Sequence, residues 1–187
     1  MQAPGGATDQ PVSEPQENRP YFSTVDAIFV IIALIVGFMV IRLGVITWSE
    51  GVHTEETKAH GEKVATWLEG AGQNREGGKP IGISACDAPE ATWLSCRDAL
   101  VASGGPLADL KNVAHPNGLL FSATCDRTVL ETHGAIIIEK GSPKPPDGAS
   151  FMYGAIADNQ PIKEPIPLRV AICGRGYSQI NVREVKF

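Results

Sequence analysis

Between Val25 and Trp48 the chain reads VDAIFVIIALIVGFMVIRLGVITW, and fifteen of these residues, Ala27 to Ile41, carry no polar side chain. As a helix the 24 residues extend about 36 Å at about 1.5 Å per residue, enough to cross a hydrocarbon core of about 30 Å. Nothing else in the sequence is apolar enough to wrap such a helix in a core, so the stretch predicts one transmembrane helix. Arg42 lies near its far end, where a guanidinium reaches the headgroups. The run is longer than a signal-peptide core, only Arg19 precedes it among basic residues, and no A-x-A site follows, so it reads as a retained anchor.

Orientation rests on two unequal signals. Basic residues favour a cytoplasmic C-terminal part by a thin margin, with Arg19 on one flank against Arg42, Lys58 and Lys63 on the other. Cys86, Cys96, Cys125 and Cys173 all follow the span, are even in number and show no metal-type spacing. They suit two disulfides in an oxidising compartment. The expectation is therefore a bacterial-type inner-membrane protein with a cytoplasmic N-terminus and a periplasmic domain. Chain reach pairs Cys86 with Cys96, across the start of a helix, and Cys125 with Cys173, at two strand ends.

The predicted organisation is a disordered tail (1–22), the membrane helix (23–48), an amphipathic helical stalk (49–72) and an α+β domain (73–187). The tail holds four prolines and almost no large apolar residue. Ser23 and Asp26 form a capping-box pattern at the mouth of the span. In the stalk, His60, Val64, Trp67, Leu68 and Ala71 make a helical stripe, weakened by Gly51 and Gly61 and ended by Gly70 and Gly72. Residues 70–82 form a glycine-rich loop. Asp87, Pro89 and Glu90 predict a helix capped at Asp87 and running to Ala102, carrying Trp93, Leu94, Arg97, Leu100 and Val101. Five short strands follow: Gly118–Thr124, Gly134–Glu139, Phe151–Ala157, Leu168–Cys173 and Tyr177–Val185. Their short, proline-rich connections favour antiparallel pairing. Ile180, Val182 and Val185 break strict alternation, which points to a bulge.

Composition narrows function. Net charge is −5, with no basic run, so nucleic acid is not an expected partner. Gly72 to Gly77 has phosphate-loop spacing, but Gly78 and Lys79-Pro80 fall where Lys and a hydroxyl are required. The chain has no G-x-S-x-G, H-E-x-x-H, C-x-x-C or G-x-G-x-x-G. His53 and His60 lack ligand spacing, His115 and His133 sit in turn contexts, and two disulfides use every thiol. Asp126 and Arg127 read as a surface turn. No catalytic residue, metal or cofactor is expected.

An apolar helix extended by an amphipathic one, a glycine-rich loop, a small antiparallel sheet and a late cysteine resemble type IV pilins and pseudopilins in order. The resemblance covers residues 25–187 and carries an architecture only. At Gly37-Phe38, Arg42 stands where the processing motif has Glu, so no functional residue transfers. The function it implies is a non-catalytic structural or binding module of an envelope machine. Expected partners are membrane lipid and other membrane or envelope subunits, in a homo- or hetero-oligomer. Asp26 ahead of an apolar run is also similar to stator-type energy-coupling subunits of the ExbD and MotB kind, an alternative reading. A periplasmic ligand sensor is another. Asp26 as a cap and Arg42 as a snorkelling residue are the simpler roles.

Overall fold

The computed structural model describes residues 23–144 and 150–187. The tail expected over 1–22 and most of the loop expected after Gly141 lie outside the described residues. The fold is α+β: one long apolar N-terminal helix, a small mixed sheet and two disulfides. The chain divides between Gly44 and Val45 into two compact units.

Helix α1 (Thr24–Glu76) begins at the expected cap. The Ser23 hydroxyl accepts from Val25 N–H (3.2 Å), and the Asp26 carboxylate accepts from Ser23 N–H (3.1 Å). This reciprocal pair satisfies two amides that an unfinished helix end leaves open. In the first unit the large apolar side chains are exposed throughout, Phe29 and Leu34 each at 68%. This is the one helix among the described residues long and apolar enough to cross a membrane.

In the second unit, α1 runs four residues past the expected end at Gly72. Its buried stripe is Thr57, Gly61, Val64, Ala65, Leu68, Ala71 and Gly72, at the three- and four-residue spacing of one helix face. Trp67 is only half-buried, and His60 bonds the Lys111 carbonyl (3.2 Å). Gly61 and Gly72 are contact residues. A Cβ on Gly61 would lie 3.1 Å from Ile172 and Val182 side chains, and one on Gly72 would lie 1.9 Å from the Lys186 carbonyl oxygen. The helix loses propensity at both and gains close approach to the sheet.

The helix expected to run from Asp87 begins only at Trp93. A single turn, α2 (Ser84–Asp87), precedes α3 (Trp93–Val101). Asp87 faces back and accepts from Ile81 and Gly82 N–H at 2.9 and 2.8 Å, so it is not free to cap forward. Thr92 caps α3 instead, in a capping box with Ser95.

Five strands follow: β1 (Phe121–Ser122), β2 (Ile136–Pro143), β3 (Phe151–Ala155), β4 (Pro167–Cys173) and β5 (Gln179–Lys186). The sheet order is β1-β2-β4-β5, with β3 also on β2, beyond β1 along the same edge. Pairing is antiparallel except that β1 runs parallel to β2. The expected all-antiparallel sheet is thus corrected. Residues 123–135 include a 3-10 turn (Leu130–Thr132), and a dozen or so residues suffice for a parallel return. The register shift between β4 and β5 leaves Val182 unpaired opposite Val170 and Ala171, the expected bulge.

One sheet face supplies Ile136, Ile138, Leu168, Val170, Ile172 and Val185 to the main core, with Val64, Leu68, Trp93, Leu100 and Phe187. Phe187 is fully buried, its ring 6.1 Å from Trp67 and 6.4 Å from Trp93. The Arg75 guanidinium lies 4.4 Å from that ring and donates to the Cys86 carbonyl (2.9 Å) and the Ile162 carbonyl. One cation thereby joins the end of α1 to α2 and to the loop before β4.

Candidate functional site

The cysteines pair as chain reach suggests. Cys86 of α2 joins Cys96 of α3, with Cα atoms 4.6 Å apart. Cys125 joins Cys173 at the end of β4, at 5.3 Å. No cysteine is free, so no thiolate is available as nucleophile or ligand. In the apolar unit, Asp26 is engaged in its cap, and the Arg42 guanidinium lies 5.7 Å from the Phe38 ring.

The outer face of the sheet carries a polar network that cross-strand pairing assembles. Glu139 on β2 faces Arg169 on β4, which faces Glu184 on β5. Glu139 is 8% exposed, and its Oε2 accepts from Arg169 and from Gln179, each at 2.7 Å. Charge-assisted bonds of this kind satisfy a carboxylate that burial would otherwise penalise. The Arg169 guanidinium also stacks 4.4 Å from the Tyr153 ring. Burial, then a hydrogen bond to and the negative charge of Glu184, push the Tyr153 phenol up to about 12, against the pull of Arg169. Tyr153 therefore stays a neutral donor across the physiological range. Beside it opens a cleft of about 690 Å³, lined among others by Pro143, Phe151, Tyr153, Pro167 and Glu184. The size suits a small ligand or a peptide side chain.

A second cluster joins residues that the sequence keeps far apart. The His115 and His133 rings are 6.1 Å apart, and His133 is 5.8 Å from the Tyr177 ring. Burial, then the charge of His115 and of His53, lower the His133 pKa, while Glu50 raises it. His53 Nδ1 is buried without a hydrogen-bond partner, and Glu50 pairs with Arg175 at 2.5 Å. Arg175, Gly176 and Tyr177 turn the β4–β5 hairpin. Tyr177 has φ of 59°, a left-handed conformation costly for a side chain-bearing residue. Packing against the cluster of Ile137, Ala171 and Cys173 and against the His133 ring holds it there. Asn112 pins the neighbouring loops, its amide donating to Leu119 and Glu131 carbonyls at 3.1 Å. No group of His, Cys, Asp or Glu among the described residues is arranged to hold a metal ion.

Asp126 closes a local turn by accepting from Thr128 N–H and Oγ1, both at 2.8 Å; these bonds hold its pKa down. Arg127 reaches the Gly176 carbonyl at 3.3 Å. The sequence signalled neither the carboxylate–arginine network nor the histidine cluster. Strand register and loop closure create them. Comparison with known protein families, curated proteins and solved structures finds no match for this chain.

Proposed function

We propose that the chain is a non-catalytic, single-pass membrane protein with a cytoplasmic N-terminus and a periplasmic domain. That domain serves as an assembly or binding module of an envelope complex, with a pilin-like order of elements. The observation that carries this reading is a single 53-residue helix with two characters. Its first half exposes Phe29, Leu34, Phe38 and Ile41, while its second half enters a core bounded by disulfides. Water does not tolerate the first at this extent, and a reducing compartment does not maintain the second.

An alkaline phosphatase fused after Phe187 should be active, and a fluorescent protein that matures only in the cytoplasm should stay dark there. The reverse pattern refutes the topology. Pull-down of the intact complex in mild detergent should recover other envelope subunits; recovery of the chain with lipid alone refutes the assembly role. The stator-like alternative needs Asp26 as a proton carrier. Its carboxylate is already used as a helix cap, so Asp26→Asn should lower helix-end stability slightly and leave assembly intact. Complete loss of function with normal insertion and assembly would instead support the alternative.

A further inference from the structure

We propose that β3 is a homodimer edge, pairing antiparallel with β3 of a second copy of this chain about Tyr153. Three features of the strand converge on that partner.

The edge is open and unprotected. Among the described residues nothing pairs β3 on the side away from β2. Phe151 is 45% and Met152 55% exposed. Edge strands are normally guarded by a charge, a proline or a bulge. The sequence Phe151-Met152-Tyr153-Gly154-Ala155 has none of these. With no charge in the strand, self-pairing brings no like charges together.

The hydrogen-bonding parity is also right. Lys144 N–H donates to the Ser150 carbonyl at 2.8 Å, which marks 144 and 150 as a bonded pair in the β2–β3 ladder. Bonded and non-bonded pairs alternate in an antiparallel ladder. Phe151, Tyr153 and Ala155 therefore turn their N–H and C=O groups outward, and Pro143, which has no N–H, stands opposite Phe151. Centring two copies on Tyr153 sets those outward groups against each other in three bonded pairs, about six hydrogen bonds.

Side-chain size then selects the partner. In this register Met152 faces the partner's Gly154, Phe151 faces the partner's Ala155, and Tyr153 faces the partner's Tyr153. Phe151 and Met152 each meet a small residue, and a Cβ on Gly154 would find open space. A two-fold interface requires such self-complementarity. A shift of one residue would set inward-turned groups against outward ones and lose it. A five-residue strand buries less than a standard interface, so the dimer is expected to be weak in dilute solution and stronger in concentrated detergent or membrane. The proposal does not depend on which side of the membrane the domain occupies.

The test uses the full chain in detergent. Unmodified protein should show a concentration-dependent dimer mass by light scattering. Gly154→Lys, placed in open space, should abolish the dimer while keeping the melting temperature. For the register, Met152→Cys and Gly154→Cys chains are purified separately and mixed under mild oxidation. The mixture should give a disulfide-linked dimer that either variant alone does not, because only 152 and 154 of different chains stand opposite. Peptide maps confirm that the native cysteine pairs are intact. A monomer at all concentrations, a dimer that survives Gly154→Lys, or cross-linking as strong in one variant alone as in the mixture would each overturn the proposal. The scattering arm involves no added cysteine, so thiol shuffling does not obscure the answer.

Discussion

Gly70 and Gly72 lie two residues apart in the same helix, and alanine should act on them with opposite sign. Both gain helix propensity on substitution, about 1 kcal/mol in a helix interior. At Gly70 nothing stands within 4 Å of a new Cβ, so that gain is kept, and the melting temperature should rise by about 2–4 °C for a chain of this size. At Gly72 the Cβ would lie 1.9 Å from the Lys186 carbonyl oxygen, 2.8 Å from its carbon and 3.0 Å from the Phe187 Cα. All three are backbone atoms at the end of β5, held by the Pro167–Lys186 pairing and by the reciprocal backbone hydrogen bonds of Ile166 and Phe187 at 2.6 and 2.9 Å. The helix and strand must separate by more than an ångström, a strain at or above the upper end of the usual overpacking cost of about 1–3 kcal/mol. After the propensity gain, a net loss of about 2 kcal/mol remains, a fall of about 4–8 °C. Thermal melts followed by circular dichroism in one detergent compare the three proteins directly. If Gly72→Ala melts at or above the unmodified protein, α1 and β5 do not approach as described.

Burial and the like charges of His115 and His53 hold the His133 imidazolium below its ordinary range. The unfolded chain takes that proton near pH 6.5 and the folded protein only at lower pH, so the stability involved is complete above about pH 6.5 and lost as pH falls between the two values. His133→Gln should therefore narrow the gap in melting temperature between pH 7.5 and pH 5.5; an unchanged gap refutes it. The disulfide separations of 48 and 10 residues correspond to about 4 and 2.7 kcal/mol of chain entropy. Replacing Cys125 and Cys173 by alanine should accordingly lower the urea midpoint more than replacing Cys86 and Cys96, and the reverse order would refute that account. Phe187→Ala removes a fully buried ring and should cost about 3–5 kcal/mol; a loss below about 1 kcal/mol would mean Trp67, Trp93 and Arg75 close over the space.

Local signals in the sequence revealed whatever depends on neighbours in the chain. The apolar run, the Ser23–Asp26 cap, the strand segments, the bulge at Val182 and the cysteine pairs all followed from spacing. Errors began where a residue answers to something distant. Asp87 has every mark of an N-cap, yet the amides of Ile81 and Gly82 claim its carboxylate, and the helix waits for Thr92. Gly61 and Gly72 look like helix breakers because the sequence does not display the strand that needs their missing side chains. The two-residue β1 is too short to reveal its direction. His53, His115 and His133 share a site only after the loop pinned by Asn112 and the β4–β5 hairpin have closed on α1.

The stripe of α1 that lines the core comes early in the domain's sequence, and what covers it comes late. Glu62 waits for Arg183, 121 residues on, and Leu68 for Val185 and Phe187. At about 5–20 residues per second, some 6–24 s pass between the emergence of Leu68 and that of Phe187. Contacts this far apart also close slowly once the chain is complete. During that interval Val64 and Leu68 are exposed apolar surface beside a still more apolar helix. A stripe left open that long is surface on which partly made chains can associate before β5 arrives.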